Sequence, residues 1–462
     1  MFSSEIALEA GTQYYSTNHA APHVSFREAL LKGLAPDGGL YMPLHLPQLN
    51  AAELEALSDK TYPALASGIL GRIFGNEISK DDLAEICNDI YTFSIPLENV
   101  YERTWLMRLD QGPTASFKDF AALLMGRLMQ HFLNIDNKHI TILTATSGDT
   151  GSAVANAFYG LKNIRVIILF PAGEVTEMQR KQMTTFNNNV QVIEIDGKFD
   201  DCQRLVKKAF MDPELSGLNL SSANSINIGR LLPQSVYYFH AWSRLSTKTV
   251  DQAVFSVPCG NFGNVAGGLI AWKMGLPVQH FVISTNANDE VPLFLTTGVY
   301  KVISPSRNCI SSAMNVGHPS NLARIISLYG GRMDEKGEIL KSPDLKRMKK
   351  ELFTISISDQ NTIKTVEGFY RDFGKLLEPH GAVSWYGLQE YLKTRPEHND
   401  KNRFYVCLET AHPGKFSEEI NKVLNFKPEL PESLSGVEFR NEDYISLANN
   451  YGILKRFIIQ NY

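Results

Sequence analysis

One lysine in this chain sits where an amine can act as a nucleophile. Lys118 lies in the stretch GPTASFKDF, Gly112 to Phe120, between aromatic residues and near the start of an apolar helical pattern. Partial desolvation there favours the neutral amine, which forms Schiff bases with carbonyl compounds. A second stretch, TATSGDTG from Thr144 to Gly151, follows the apolar run Ile140 to Leu143 and leads into a small-residue segment of helical pattern. It reads as a strand, a turn and a helix N-terminus, whose free N–H groups can hold an anion. A third, SVPCGNFGN from Ser256 to Asn264, follows the strand-like Ala253 to Val257 and precedes the helix-like Val265 to Met274. Gly260 and Gly263 let backbone amides approach a phosphate closely there. That loop lacks the Walker lysine and the G-x-G-x-x-G spacing, so a nucleotide loop is the poorer reading. Taken singly, Lys118 reads as a solvated lysine and the Gly148 turn as ordinary turn chemistry. Together, an imine-forming lysine and anion cradles point to pyridoxal phosphate.

The elements that must position these loops are mainly strands followed by helices. Apolar runs of strand length occur at Ile140 to Leu143, Val166 to Phe170, Val190 to Ile195, Ala253 to Val257, Phe281 to Ser284 and Phe404 to Leu408. Several precede helical patterns. Phe199 to Phe210 is one such pattern, with Phe199, Cys202, Leu205, Val206 and Ala209 on a stripe that reads as core. Alternating strand and helix predicts an α/β fold of parallel sheets flanked by helices, with ligands at the strand C-terminal ends. The loops at Asp149 and Gly260 occupy such places.

Composition agrees with a large enzyme. At 462 residues the chain exceeds what one core usually serves, so two or three domains are expected. A net charge of -4 gives no global attraction to nucleic acid or acidic membranes, so anion recognition must be local. No apolar run has the length of a membrane span, and the start, Met1 to Glu5, lacks the basic and apolar regions of a secretory signal. The expectation is cytoplasmic, with a monomer the simplest assembly. The five cysteines, Cys87, Cys202, Cys259, Cys309 and Cys407, show no C-x-x-C spacing, which argues against a zinc site or a disulfide framework.

Further segments join these motifs into a family resemblance. They are Tyr15 to Thr17, Gly33 to Leu40, Asn224 to Leu232, Ser312 to Asn315 and Thr410 to Pro413, in order with the Lys118, Asp149 and Gly260 loops. With this set the chain resembles the threonine synthase family of fold-type II pyridoxal-phosphate enzymes, whose fold is tryptophan synthase β-like with an extra N-terminal domain. The resemblance implies an N-terminal domain over 1–92, a large cofactor-binding domain over 93–130 and 246–462, and a small inserted α/β domain over 131–245. It implies that Lys118 carries the cofactor as a Schiff base and acts in catalysis, and that Gly260, Asn261, Phe262, Gly263 and Asn264 cradle its phosphate. Thr410 falls where the family sets a hydroxyl against the pyridine nitrogen, and a neutral hydroxyl would not keep that nitrogen protonated as a carboxylate would. Thr146, Ser147, Asp149 and Thr150 fall on the loop that meets the substrate carboxylate and the ring hydroxyl. Many fold-type II enzymes carry Asn where this chain has Asp149, which leaves open whether Asp149 contacts the ring oxygen, since two anions repel. Ser225 and Arg230 match positions that recognise the substrate phosphate. The implied reaction turns O-phospho-L-homoserine and water into L-threonine and phosphate. A phospholyase yielding a 2-oxo acid, ammonia and phosphate is the nearest alternative, and a non-catalytic phospholigand-binding protein is a more distant one. His318 and His412 read as hydrogen-bonding loop residues rather than acid-base groups.

Overall fold

The computed structural model describes residues 12–248, 251–395 and 403–461. Each of the six apolar runs is a strand, and the helix expected at Phe199 to Phe210 spans those residues. Cys202, Leu205, Val206 and Ala209 of its stripe are buried in a core with Ile193 and Ile195.

Two sheets carry the architecture. The larger has six strands in the order Leu352–Ser356, Val278–Thr285, Gln252–Pro258, Arg403–Glu409, Thr104–Arg108 and Leu97–Tyr101. All pair in parallel except the edge hairpin of Leu97–Tyr101 with Thr104–Arg108. The smaller has five parallel strands, ordered Ile445–Ala448, Val190–Asp196, Ile164–Pro171, Ile140–Ala145 and Leu220–Ser221. Every residue of Ile140–Ala145 is buried, as expected for a parallel strand covered on both faces.

The chain does not divide as simply as the sequence suggests. Ile445–Ala448 pairs with Val190–Asp196, so the end of the expected 246–462 block returns to the smaller sheet. Helix Ser235–Leu245, expected in the inserted unit, instead packs on helix Gly263–Lys273 of the larger sheet. An all-buried face from Val236 to Ala241 drives that choice.

The N-terminal part, up to Ile90, carries three longer helices and a two-stranded antiparallel sheet of Tyr14–Ser16 and Tyr41–Pro43. Its Tyr62, together with Phe93 and Tyr237 from later in the chain, holds helix Lys118–Asp136 through aromatic rings. Phe120, in the first turn of that helix, meets Tyr62, Phe93 and Tyr237 edge-on at centroid distances of 5.4, 4.9 and 5.0 Å. Such pairs add about 0.5–1.5 kcal/mol each beyond area burial. They fix the helix end that presents Lys118.

Candidate active site

Four loops converge at the C-terminal ends of parallel strands. The Lys118 loop follows Thr104–Arg108, the Asp149 turn follows Ile140–Ala145, the Gly260 loop follows Gln252–Pro258, and Thr410 follows Arg403–Glu409. The first and last are stitched by backbone: Phe117 N–H donates to the Thr410 carbonyl at 2.9 Å, and His412 N–H to the Ala115 carbonyl at 3.1 Å. Ala115 holds a left-handed backbone at φ 52°. For a residue with a Cβ that conformation costs about 1–2 kcal/mol, and it aims the following turn at the site.

Lys118 is the first residue of its helix and is largely buried, its ammonium 4.7 Å from the Phe117 ring centroid. Burial lowers its pKa from the ordinary lysine range, as do the charges of Lys415 and Arg230, while Asp149 opposes the shift. The neutral amine required for carbonyl attack is thereby made accessible.

Asp149 opens helix Asp149–Phe158 and lies 3.6 Å from the Lys118 Nζ. Sequence reasoning missed its other partners. Lys415, with 0% of its side chain exposed, donates to Asp149 Oδ1 at 2.8 Å and to the Thr114 carbonyl at 2.9 Å. Gln179 Nε2 donates to the same Oδ1 at 3.0 Å. Burial alone would raise the Asp149 carboxyl, but Lys415 and Lys118 hold it well below the usual carboxylate range. Asp149 is therefore a fixed anion between two lysines. The neighbouring Asp119 is the reverse case, pushed up to about 6 by burial despite the bonds it accepts from Thr114.

The remaining expected residues fall into distinct settings. Thr146 spends its hydroxyl on its own turn, accepting from Gly148 N–H at 3.0 Å and Gly151 N–H at 2.8 Å. Ser147 and Thr150 are half-buried on the same turn. Ser225 is half-buried, and its carbonyl accepts from Arg324 Nη1 at 2.9 Å. Arg230 is buried, donating through Nη1 to the Ala223 carbonyl at 2.6 Å, with Nε unpartnered. Among the described residues it makes no salt bridge, and burial lowers it to about 10. His412 caps its own turn by accepting Gly414 N–H at 3.1 Å, and His318 bonds Tyr300 at 2.8 Å, the hydrogen-bonding roles expected of them.

The Gly260 loop is built for close approach. A Cβ at Gly260 would lie 2.9 Å from both the Ala313 carbonyl oxygen and Met314 Cα, so only glycine lets the two loops touch. Phe262 caps helix Gly263–Lys273 with a left-handed backbone at φ 60°. Asn264 lies in the first turn, its Oδ1 accepting from Tyr238 at 2.7 Å and its Nδ2 buried without a partner. A helix N-terminus with an orphaned donor beside it suits an anion.

These features agree with what the chain is similar to. Residues 13–91 match the threonine synthase N terminus, 92–408 the pyridoxal-phosphate-dependent enzyme family, and 386–458 the threonine synthase C-terminal family. A threonine synthase of Buchnera aphidicola from Acyrthosiphon pisum is 40% identical over 424 residues, 91% of this chain and 93% of the relative. The chain belongs to the threonine synthase family. The crystal structure of the Escherichia coli threonine synthase superposes with a TM-score of 0.86 at 35% identity, covering 97% of this chain and 100% of that one. A threonine synthase from Brucella melitensis with bound pyridoxal phosphate gives 0.88 at 34% identity, covering 97% and 99%. The protein is thus a pyridoxal-phosphate-dependent lyase of fold-type II, as the sequence suggested. The orphaned Asn264 amide, the glycine-lined helix terminus and the desolvated Lys118 amine fit that cofactor. Among the described residues no helix is long and apolar enough to cross a membrane.

Proposed function

We propose that this chain converts O-phospho-L-homoserine and water into L-threonine and inorganic phosphate. The observation that carries the reading is Arg230, a buried guanidinium with a free Nε, close enough to Lys118 for its charge to lower that amine. A buried cation without a carboxylate is costly, and a substrate phosphate is the anion that would satisfy it. Ser225 adds a hydroxyl to the same recognition. The amides of Gly260, Asn261, Phe262, Gly263 and Asn264 would hold the cofactor phosphate, and Thr410 would face the ring nitrogen.

When bound, pyridoxal phosphate supplies an electron sink for charge that develops on the substrate carbons. Lys118 would hold the cofactor through its amine and, when free, would move protons at the α and β carbons in turn. The turn of Thr146, Ser147 and Thr150 receives the substrate carboxylate at a helix N-terminus. Asp149, already paired with Lys415 and Lys118, serves as the fixed counter-charge of the amine rather than as a partner of the ring oxygen. Loss of the γ-phosphate, and return of a proton to the γ carbon, would precede addition of water at the β carbon.

We take the work to be done in the cytosol on a small molecule, by a monomer; the net charge of -4 supports a role without nucleic acid. The test is to incubate the purified protein with O-phosphohomoserine and quantify threonine, 2-oxobutyrate and phosphate together. Threonine equal to phosphate supports the reading. Phosphate matched by 2-oxobutyrate would make the protein a phospholyase.

A further inference from the structure

Arg324, on helix Leu322–Leu328, is a second fully buried guanidinium. Its donors go to neutral groups. Nε bonds the Tyr41 carbonyl at 3.2 Å, Nη1 the Ser225 carbonyl at 2.9 Å and Asn321 Oδ1 at 2.6 Å, and Nη2 the Ile226 carbonyl at 2.6 Å. Burial lowers its pKa to about 9, which leaves it a cation at neutral pH. Among the described residues it makes no salt bridge, so carbonyl and amide dipoles alone compensate its charge.

These bonds set the orientation of one turn. Arg230 holds the Ala223 carbonyl at 2.6 Å, Arg324 holds those of Ser225 and Ile226, and Asn321 Nδ2 adds a bond to the Ser225 carbonyl at 3.3 Å. The Ser225–Ile226 peptide is trans, and a trans peptide points its N–H opposite to its C=O. With the Ser225 carbonyl turned to Arg324 and Asn321, the Ile226 N–H therefore faces away from both. Neither the Ser225 nor the Ile226 N–H donates to any group among the described residues, and both residues are half-buried. Free backbone donors with a cation behind them form a site for an oxyanion.

We propose that Arg324 is a positioning residue for the substrate phosphate, turning the Ser225–Ile226 peptide so that the Ile226 N–H donates to that phosphate beside Ser225 and Arg230. The dianion is then balanced by two buried cations, Arg230 in contact and Arg324 one peptide behind. This accounts for two guanidiniums without carboxylates converging on the single stretch from Ala223 to Ile226. The inference rests on the assignment of Ser225 and Arg230 to the substrate phosphate.

The test compares two ligands of the holoenzyme: inorganic phosphate, read as a competitive inhibitor against O-phosphohomoserine, and L-threonine, read by its effect on the cofactor absorbance. Arg324→Lys keeps the charge, but one ammonium cannot span the Tyr41, Ser225 and Ile226 carbonyls. It should raise the phosphate inhibition constant and the KM for O-phosphohomoserine about tenfold and leave threonine affinity within about twofold. Equal weakening of phosphate and threonine would make Arg324 a merely structural residue and overturn the inference, as would unchanged phosphate inhibition. In the wild type, the Ile226 amide resonance of isoleucine-labelled holoenzyme, assigned through Ile226→Val, should shift as phosphate saturates. An unmoved resonance overturns the inference without any change at Arg324. Arg230→Leu separates the two readings. If it leaves phosphate inhibition and KM at wild-type values, the phosphate assignment itself fails; if it weakens both while Arg324→Lys does not, only the role of Arg324 falls.

Discussion

Replacing Lys415 by methionine keeps the length of a fully buried side chain and removes its charge. The ammonium bonds Asp149 at 2.8 Å and the Thr114 carbonyl at 2.9 Å. Deleting one partner of a buried ion pair costs about 3–5 kcal/mol, because the other charge is left uncompensated. Here Lys118, 3.6 Å from the other carboxylate oxygen, offsets part of that loss. Coulomb's law at an effective dielectric of about 20 puts that attraction near ~4.6 kcal/mol before desolvation. We therefore expect Lys415→Met to destabilise the apoprotein by about 2–3 kcal/mol, read from urea unfolding. The sharper readout is chemical. Lys415 lowers the pKa of Lys118 and Asp149 raises it. Lys415→Met should then hold Lys118 protonated to higher pH and slow cofactor capture at neutral pH by about tenfold, the factor set by roughly 1.4 kcal/mol. Asp149→Asn should act with the opposite sign, shifting the capture profile to lower pH. Stopped-flow absorbance of apoprotein mixed with pyridoxal phosphate across the pH range measures both. Shifts of the same sign in the two variants, or no shift in either, would refute the pairing of Asp149 between two lysines.

Two other outcomes are expected. Arg230→Leu should cut kcat/KM for O-phosphohomoserine at least about tenfold while leaving cofactor affinity intact, because a charged hydrogen bond contributes about 1.5–3 kcal/mol and the cofactor phosphate lies on other residues. Loss of cofactor with the activity, measured by equilibrium binding, would remove Arg230 from that role. Burial raises the pKa of Glu409 in the folded protein well above the usual carboxylate value, so folding takes up a proton, and its contribution to stability is full below the unfolded carboxyl value and is lost as pH rises through the folded one. Glu409→Gln should flatten the fall in unfolding free energy that begins above about pH 4.5; an unchanged slope would show that Glu409 is ionised in the folded protein.

What could be read in the sequence was whatever local patterning encodes. Strands such as Ile140–Ala145 are buried on both faces and so appear as unbroken apolar runs. Lys118, Asp149 and the Gly260 loop were legible because each sits where a strand gives way to a helix, a junction marked by glycine and small residues. The edge strand Leu97–Tyr101 escaped because its residues are only half-buried or exposed and alternate with no apolar period. The short strand Ile445–Ala448 escaped because its pairing with Val190–Asp196 is set by tertiary contact across most of the chain. Lys415 lies two residues past the Thr410 to Pro413 motif, and nothing local distinguishes it from a solvated lysine until Asp149 is brought against it.

The central claim is that Lys118 is the lysine that carries the cofactor. Borohydride reduction of the holoenzyme should abolish its visible imine absorption and leave a pyridoxyl group on the peptide containing Lys118, located by mass spectrometry. A label on Lys415 or on any other lysine, with Lys118 unmodified, would contradict it.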